Sequence, residues 1–332
     1  MSGFLSFEEL LEFFDRNRGK RYLLTFHTVG DRDGVGAAIA LSQMLPNSVI
    51  ATPDFITNNA KRMVEQSGYK GDILSRIPGD IDVVVVLDAN RLEILGKFRK
   101  QLLKFSGQIL FIDHHGLPED PEYGNRTSIF NSEAYNSASS IVCDILNAKR
   151  VKIGKEAAFV LINGIVADSA DFQNSNALAF QQISQLLGIT GLLYSEIISN
   201  SHAASSANIR NRIMRDLFSS KIEVCGEYLI ISGEAQFQAN TAAETALRMG
   251  ADASLFWSIR DKEVSMSGRL RSPLDRELSI NLGALLDEAG HTIGGTGGGH
   301  PCAAGAYGKK KEGLDGAVRH VIDGIKKGFL RA

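Results

Sequence analysis

The sequence has few of the features that mark secreted or membrane-spanning proteins. Its 332 residues include only three cysteines, Cys143, Cys225 and Cys302, without the spacing of metal ligands. An odd number of unpatterned cysteines is typical of free thiols in a reducing compartment. No basic segment precedes an apolar one at the N-terminus, and no apolar run approaches the ~20 residues of a transmembrane helix. We therefore expect a cytoplasmic protein that does not enter the membrane.

The chain also lacks a large excess of charge. Its 36 lysines and arginines nearly balance 38 aspartates and glutamates, for a net charge of −2. A broad surface that coats nucleic acid is therefore excluded, and any recognition of phosphate must be local. The length predicts about two domains, and a small, polar stretch at 199–206 is suited to a linker. We predict a first domain at 1–198, a linker at 199–207 and a second domain at 208–332.

Three apolar segments predicted as buried strands each end at ionisable side chains. The segments and the side chains that follow them are 22–26 with His27, Asp31 and Asp33; 83–87 with Asp88; and 108–112 with Asp113, His114 and His115. Burying such groups is costly unless they are paired or bind a metal. Parallel α/β sheets bind ligands at the carboxyl ends of their strands, so we expect these side chains to form one site.

The order of predicted elements indicates an α/β fold with two sheets. In the first half, strands alternate with helices, including a crossover helix at 92–105 and a helix at 174–187 stopped by Gly188; this order predicts a doubly wound parallel sheet. The second half mixes predicted strands and helices and is expected to form a smaller α/β domain with a mixed sheet. Its strands are predicted at 222–225, 228–232, 253–259 and 263–269.

The acidic loop after the first strand has three other interpretations. An EF-hand beginning at Asp31 would need a glutamate where the chain has Ser42. A dinucleotide-binding loop would need a third glycine where the chain has Ile39, and the two acids of the loop would repel a pyrophosphate. A solvated polar loop is the third alternative, which the two other acidic strand ends disfavour. The pattern favours a metal site.

The remaining candidates are ambiguous when taken singly. Asp88 could be a helix cap, and Asp168, at the end of an apolar helix predicted from 155, is the weakest metal ligand on chemistry alone. The glycine run 294–299 before His300 is either a flexible loop or a nest of backbone N–H groups for an anion. Arg269 and Arg271 are either surface charges or bidentate phosphate ligands.

Together these motifs resemble those of the DHH phosphoesterases. A further run resembles the smaller DHH-associated domain of RecJ-like exonucleases and of nanoRNase/pAp-phosphatase proteins. The sequence has Gly30 and Ala37 where the family often has proline and serine, but neither position supplies a side-chain ligand. The matching motifs are His27-x-x-x-Asp31-x-Asp33-Gly34, Asp88, Asp113-His114-His115, Gly164-Ile165-x-x-Asp168 and Gly297-Gly298-Gly299-His300-x-x-Ala303-Ala304-Gly305.

The resemblance implies a role for each matching residue. One Mn²⁺ would be bound by His27, Asp31 and Asp88, and a second by Asp33, Asp88, His114 and Asp168. Asp113 would orient a histidine, and His115 would face the substrate phosphate. In the second domain, substrate would bind to Arg269, Arg271, Gly297, Gly298, Gly299 and His300. Mixed imidazole and carboxylate ligands suit Mn²⁺, with Mg²⁺ or Co²⁺ as alternatives.

The function implied is a Mn²⁺-dependent phosphohydrolase in which two metals activate a hydroxide. Its expected substrates are short oligonucleotides, linear dinucleotides or nucleoside bisphosphates such as pAp, held between the domains by closure at the linker. A single-strand exonuclease like RecJ, a cyclic-dinucleotide phosphodiesterase and a catalytically silent replication scaffold are the alternatives. The glycine-histidine run argues against an inorganic pyrophosphatase. The sequence does not decide whether the protein forms a homodimer, whether its substrate is RNA or DNA, or from which end it digests a strand.

Overall fold

The computed structural model describes residues 3–117, 123, 126–169, 172, 175–198, 207–236, 238–261 and 263–331. The chain divides into two compact units, Met1–Ala203 and Ala204–Ala332. The predicted linker lies, apart from Ala207, outside the described residues, so the domain boundaries stay a prediction. No helix in the described part of the chain is both long enough and apolar enough to span a membrane.

The first unit is built on a seven-stranded sheet in which all pairings are parallel. Its strand order is β1-β9-β8-β7-β2-β4-β6, and β3 pairs separately with β5. The strands are β1 (Gly3–Phe4), β2 (Tyr22–Phe26), β3 (Val29–Gly30), β4 (Ser48–Ala51), β5 (Phe55–Ile56), β6 (Ile73–Leu74), β7 (Val83–Leu87), β8 (Gln108–Asp113) and β9 (Thr127–Asn131).

Helices cover both faces of this sheet. Every residue of the central strands β2 and β7 is buried, because each face of the sheet is covered by its own hydrophobic core. Leu24 and Val85 belong to the core on one face, and Leu23 and Val84 to the core on the other. The structure thus confirms the predicted doubly wound fold. The helices are α1 (Phe7–Arg16), α2 (Arg32–Ser42), α3 (Asn58–Ser67), α4 (Arg99–Leu103), α5 (Ala138–Ala148), α6 (Lys155–Asp168), α7 (Ala177–Thr190) and α8 (Tyr194–Ile198).

The strand order reverses between β2 and β7. From β2 the chain winds through β4 and β6 to one side, and from β7 through β8 and β9 to the other. The carboxyl ends of β2 and β7 therefore flank the crevice at which doubly wound sheets bind ligands.

Two predicted helices of this unit differ in the structure. The segment predicted as one helix at 92–105 is a 3-10 helix (Leu92–Phe98) followed by α4, because Gly96 has a left-handed φ of 48° that interrupts the helix. The helix predicted to stop at Gly188 continues to Thr190 and ends at Gly191, which has the left-handed conformation typical of a helix C-terminus.

The second unit contains a six-stranded mixed sheet in the order β10-β11-β12-β13-β15-β14, in which only β11 and β12 pair in parallel. A mixed sheet was expected here. The elements are α9 (Ala207–Phe218), β10 (Lys221–Cys225), β11 (Tyr228–Glu234), α10 (Ala239–Arg248), β12 (Ala253–Arg260), β13 (Glu263–Leu270), α11 (Leu274–Glu277), α12 (Leu282–Thr292), β14 (Thr296–His300), β15 (Ala303–Gly308), a 3-10 helix (Lys311–Gly313) and α13 (Leu314–Phe329).

The glycine run forms the strand β14 and not the expected loop. Its glycines allow β14 to lie directly against the backbone of α12: a Cβ at Gly297 would be 1.9 Å from the Leu286 carbonyl oxygen, and one at Gly290 would be 2.3 Å from Thr296. Gly299 also has a φ of 138°, which side-chain-bearing residues rarely adopt. The run is therefore explained by close packing of backbone on backbone.

We expect Gly297→Ala to lower the free energy of unfolding by about 1–3 kcal/mol or more, since the added methyl group must push β14 away from α12. Denaturant unfolding followed by circular dichroism measures the change. Gly316→Ala in α13 is the control: its methyl group would be 3.9 Å from the nearest side-chain atom, and alanine is the better helix former. Equal stability of both variants and wild type would contradict the close packing.

Candidate metal centre

The loop after β2 carries the first group of candidate ligands. His27 follows the last residue of β2, and Asp31 is the N-cap of α2, where its Oδ1 accepts hydrogen bonds from the backbone N–H groups of Asp33 (3.0 Å) and Gly34 (3.1 Å). Only one Asp31 oxygen is used in this cap, so Oδ2 is directed toward His27, whose Nε2 lies 3.5 Å away. The cap thus fixes the carboxylate beside the imidazole.

Asp88 occupies the position between the two halves of the sheet. It directly follows β7, is 3% exposed, and its backbone N–H donates to the Ile112 carbonyl oxygen on the neighbouring strand (3.0 Å). Its φ of 55° lies in the left-handed region, which a side-chain-bearing residue adopts only at a cost in energy. Such strained residues cluster at functional sites, and here the turn directs the carboxylate toward His27 and His114.

Asp88 joins two clusters of candidate ligands through different oxygens. Its Oδ2 lies 3.2 Å from His27 Nε2, and these two residues form the first cluster with Asp31. Its Oδ1 lies 3.7 Å from His114 Nε2, in a second cluster with His115 and Asp168. Within each cluster, one donor atom from each residue lies within 4.8 Å of the others. The carboxylate of Asp88 is thus shared by the two clusters.

The side chains of both clusters suit divalent cations. Asp88 Oδ1 and His114 Nε2 are buried without a well-formed hydrogen bond, although His114 Nε2 is 3.0 Å from Asp168 Oδ2. Asp168 is the last residue of α6, where the helix dipole disfavours a carboxylate. A cation would satisfy all three atoms, and imidazole with carboxylate is a donor set for Mn²⁺ and its neighbours among the divalent metals.

Asp33 lies near the charges of Asp168, Asp88 and His114, and its carboxylate has hydrogen-bond partners of its own. It is buried, and its carboxylate accepts hydrogen bonds from the N–H groups of Ala138 (2.6 Å) and Ser139 (2.8 Å) at the N-terminus of α5. Burial and the neighbouring carboxylates raise its pKa well above the ordinary value. Asp33 belongs to neither cluster in the described part of the chain. Its role as a metal ligand stays a prediction, while the structure shows a carboxylate anchored to a helix end.

His115 and Asp113 form a pair beside the second cluster. His115 Nδ1 lies 2.9 Å from Asp113 Oδ1 and 3.7 Å from Asp88 Oδ1, and 56% of its side chain is exposed. Asp113 is buried at the end of β8, so it holds an imidazole that faces solvent. The histidine that Asp113 orients is therefore His115, and His115 is positioned both at the cluster and toward an incoming ligand.

The carboxylates favour the protonated form of the two partly buried imidazoles, His27 and His114, in the absence of metal. Burial by itself lowers the pKa of His27, but hydrogen bonds and charges from Asp31 and Asp88 outweigh it and raise the pKa to about 10. For His114, burial is likewise outweighed by Asp168 and Asp88, which raise the pKa to about 10. At neutral pH, protons therefore occupy the places that a cation would take.

A cavity of about 480 Å³ opens over the two clusters. Besides the predicted residues it is lined by Asn90 and Arg91, which the sequence analysis missed. The buried Asn90 side chain donates to the Gly116 carbonyl oxygen (3.0 Å) and ties the turn after β7 to the loop after β8. Arg91 adds a positive charge to a cavity that is also lined by four carboxylates and two imidazoles. The position of Asn90 and Arg91 within three residues of Asp88 is the signal that could have indicated them.

The predicted anion-binding residues of the second unit are only partly brought together. A cavity of about 510 Å³ is lined by Arg269, Gly298 and Gly299, but not by Gly297 or the exposed His300. Arg271 is ion-paired with Asp252 and is not in this lining. The lining residues missed from the sequence include Gln238, Asn240, Ser267 and Arg260.

Arg269 is held in place within this cavity. Its Nη1 donates to Ser267 Oγ (3.1 Å) and to the Gly268 carbonyl oxygen (2.9 Å), and the side chain is partly buried. The N-terminal residues of α10 form another side of the lining. A fixed guanidinium near a helix N-terminus gives this cavity a preference for anions.

Comparison with known proteins shows that each half of the chain matches a family model. Residues 21–165 match the model of the DHH family, N-terminal domain, and residues 228–327 match that of the DHHA1 domain. The chain is similar to an uncharacterized protein of Methanocaldococcus jannaschii, with 25% identity over 334 residues and 97% of each protein covered. It is also similar in structure to an exopolyphosphatase-related protein of Bacteroides fragilis, with a TM-score of 0.76, 20% identity and 98% of each chain covered.

We expect metal binding to release protons. His27 and His114 have pKa values of about 10 without metal, while a metal ligand must be neutral imidazole. Filling both sites at about pH 7.5 should therefore release close to two protons per chain. Apparent affinity should rise between pH 7 and 10, by up to about tenfold per pH unit for each proton released.

Calorimetric titration of the metal-free protein with Mn²⁺ in two buffers of different ionisation enthalpy counts these protons. His114→Gln should release about one proton fewer than wild type. Metal binding without proton release, or an affinity that falls as the pH rises from 7 to 9, would contradict the proposed ligands.

Proposed function

Since the chain carries a DHH domain and a DHHA1 domain, we propose that it is a phosphohydrolase that uses two divalent cations, with Mn²⁺ preferred. The observation that supports this most directly is Asp88, whose two oxygens face different clusters of candidate ligands. In two-metal phosphoryl chemistry, two neighbouring cations stabilise the attacking and the leaving oxygens, and a carboxylate shared by both would hold them close together.

The ligands of the proposed centre are divided between the clusters. His27, Asp31 and Asp88 would hold one cation, and Asp88, His114 and Asp168 the other, with Asp33 as a further predicted ligand of the second. When bound, such a pair lowers the pKa of water to supply a nucleophile and neutralises charge on the phosphoryl oxygens.

His115 is suited to contact the substrate. The hydrogen bond with Asp113 is the largest influence on His115 and raises the pKa of the imidazole. With Nδ1 directed at Asp113, the other ring nitrogen can donate to a phosphoryl oxygen. Arg91 lines the same cavity and can pair with a second oxygen. Removing one electrostatic donor that stabilises a transition state typically costs about 10²–10³ in kcat.

The cavity in the second unit supports a small nucleotide substrate. It has space for a single nucleotide, and its cations and helix N-terminus favour a phosphate. We propose short oligonucleotides, linear dinucleotides or nucleoside bisphosphates such as pAp as substrates, and a cytoplasmic location consistent with three free cysteines. An enzyme that tracks along a strand would need an extended basic groove with stacking aromatics. The net charge of −2 gives such a groove no support.

The proposed activity is tested with a panel of substrates. Purified protein with Mn²⁺ is incubated with pAp, with 5′-labelled RNA and DNA of about two to twenty-four nucleotides, with a cyclic dinucleotide and with inorganic polyphosphate. We expect the highest kcat/KM on pAp or the shortest oligonucleotides. Asp88→Ala should lose bound metal and essentially all turnover.

The outcome of this panel distinguishes the alternatives. Faster hydrolysis of the longest strands would favour a processive exonuclease, and a preference for polyphosphate would match the description of the Bacteroides fragilis protein. A protein that binds Mn²⁺ but hydrolyses none of the panel would be better explained as a binding protein.

The cavity in the second unit predicts a separate effect of Arg269. Arg269→Ala should reduce kcat/KM for a dinucleotide by about 10²-fold, the usual cost of a charged hydrogen bond to phosphate. It should hardly change hydrolysis of a small artificial phosphodiester, which lacks the nucleotide that the anion site would hold. Arg271→Ala serves as the comparison, because Arg271 pairs with Asp252 outside the cavity lining.

Steady-state kinetics on both substrates, with unfolding midpoints to verify folding, provide the measurement. An equal loss on both substrates for Arg269→Ala would show that Arg269 supports the fold or the metals. A larger loss for Arg271→Ala than for Arg269→Ala on the dinucleotide would move the anion site to Arg271.

A further inference from the structure

The first strand of the second unit leaves one edge unpaired. β10 pairs with β11 in antiparallel register, with Lys221 opposite Ser232 and Cys225 opposite Tyr228. It is the terminal strand of its sheet, and among the described residues no strand pairs with its other side. An open edge presents backbone donors and acceptors to any second strand, so proteins normally protect it with charges, prolines or bulges.

The face of β10 opposite α13 is apolar and exposed. Successive side chains of a strand alternate between faces, and Glu223 is ion-paired with Lys326 of α13 on one face. Ile222 and Val224 therefore lie on the other face, where they are 62% and 75% exposed. Exposed β-branched residues on an open edge are the opposite of the usual protection.

α9 extends this apolar surface on the same face. Ile231, the cross-strand partner of Ile222, packs in one core with Leu217 of α9. The adjacent Phe218 is 80% exposed, and Met214, one turn earlier, is 42% exposed. Four exposed apolar side chains thus lie on the two elements at this edge of the sheet. We call Met214, Phe218, Ile222 and Val224 the edge patch. Exposed apolar side chains grouped at one edge of a sheet are typical of an interaction site.

We propose that the edge patch is a homodimer interface, in which β10 pairs antiparallel with β10 of a second copy around a two-fold axis at Ile222. In this register Ile222 faces Ile222 of the second copy, and Lys221 of each copy lies opposite Glu223 of the other. Apolar and opposite-charge pairs across strands both stabilise a sheet. The strand is therefore complementary to itself, which is the requirement of a two-fold interface.

The same symmetry accounts for the residues on α9. A two-fold axis through paired edge strands brings the elements on the same face of the two sheets together, so α9 would approach α9 of the second copy. Phe218, the residue of α9 nearest in sequence to β10, would be covered with Met214. A partner that paired with β10 alone would leave these two side chains exposed. This interface depends only on the second unit and not on the proposed hydrolysis.

The oligomeric state of the full chain tests the interface. Sedimentation equilibrium between about 1 and 100 μM should show a monomer–dimer equilibrium for wild type. Ile222→Glu places like charges opposite each other on the axis and should weaken the dimer by at least about tenfold. Ile222→Val, which keeps an apolar β-branched side chain, should dimerise as wild type does. A wild-type monomer at the highest concentration, or a dimer unaffected by Ile222→Glu, would overturn the proposal.

Cysteine cross-linking tests the register. In the proposed pairing, Ile222→Cys places two thiols across the axis within the reach of a disulfide, whereas Val224→Cys lies opposite Ser220 of the second copy. With copper phenanthroline as oxidant, Ile222→Cys should form a covalent dimer on a non-reducing gel. Val224→Cys and wild type should remain mostly uncrosslinked. Equal cross-linking of the two variants would exclude this register.

Discussion

The structure of the candidate metal centre depends on the placement of one carboxylate. Asp88 is buried between the two halves of a parallel sheet, on a left-handed turn, with one oxygen toward His27 and the other toward His114. A buried carboxylate is costly unless positive charge compensates it. The protonated imidazoles supply that charge without metal, and divalent cations would supply it with metal. The reversal of strand order between β2 and β7 creates the crevice in which this compensation takes place.

The features that follow from local chemistry were predictable from the sequence. Apolar runs that end in ionisable residues identified β2, β7 and β8, and the parallel order of the sheet then brought His27, Asp88 and His114 to one edge. Features set by packing between distant segments were not predictable. The glycines of β14 are required by contact with α12, which no local pattern indicates. The kink at Gly96 and the anchoring of Asp33 to the N-terminus of α5 depend likewise on tertiary neighbours.

In the second unit, the roles of two arginines likewise depend on tertiary neighbours and not on the local sequence. Arg269 and Arg271 are two residues apart and indistinguishable as phosphate ligands in the sequence. The structure separates them, because Arg269 is part of β13 and lines a cavity, whereas Arg271 lies beyond the strand and pairs with Asp252. Asp252 also accepts a hydrogen bond from the Leu229 N–H, so Asp252 connects β11 to Arg271, the residue after β13. Arg271 is therefore engaged in structure, whereas Arg269 remains at the cavity.

Beneath the metal centre, helices meet at glycines. A Cβ at Gly164 would lie 2.8 Å from Asp33 Oδ1, and one at Gly36 would lie 2.8 Å from the Val160 carbonyl oxygen. At Gly164 the close neighbours are the side chains of Ser139 and Asp33, and at Gly36 they are the backbone of Val160. The absence of a side chain at these two glycines therefore lets α2, α5 and α6 approach one another beside the candidate ligands. A substitution at either glycine would act on the candidate centre by moving these helices, although neither glycine carries a ligand.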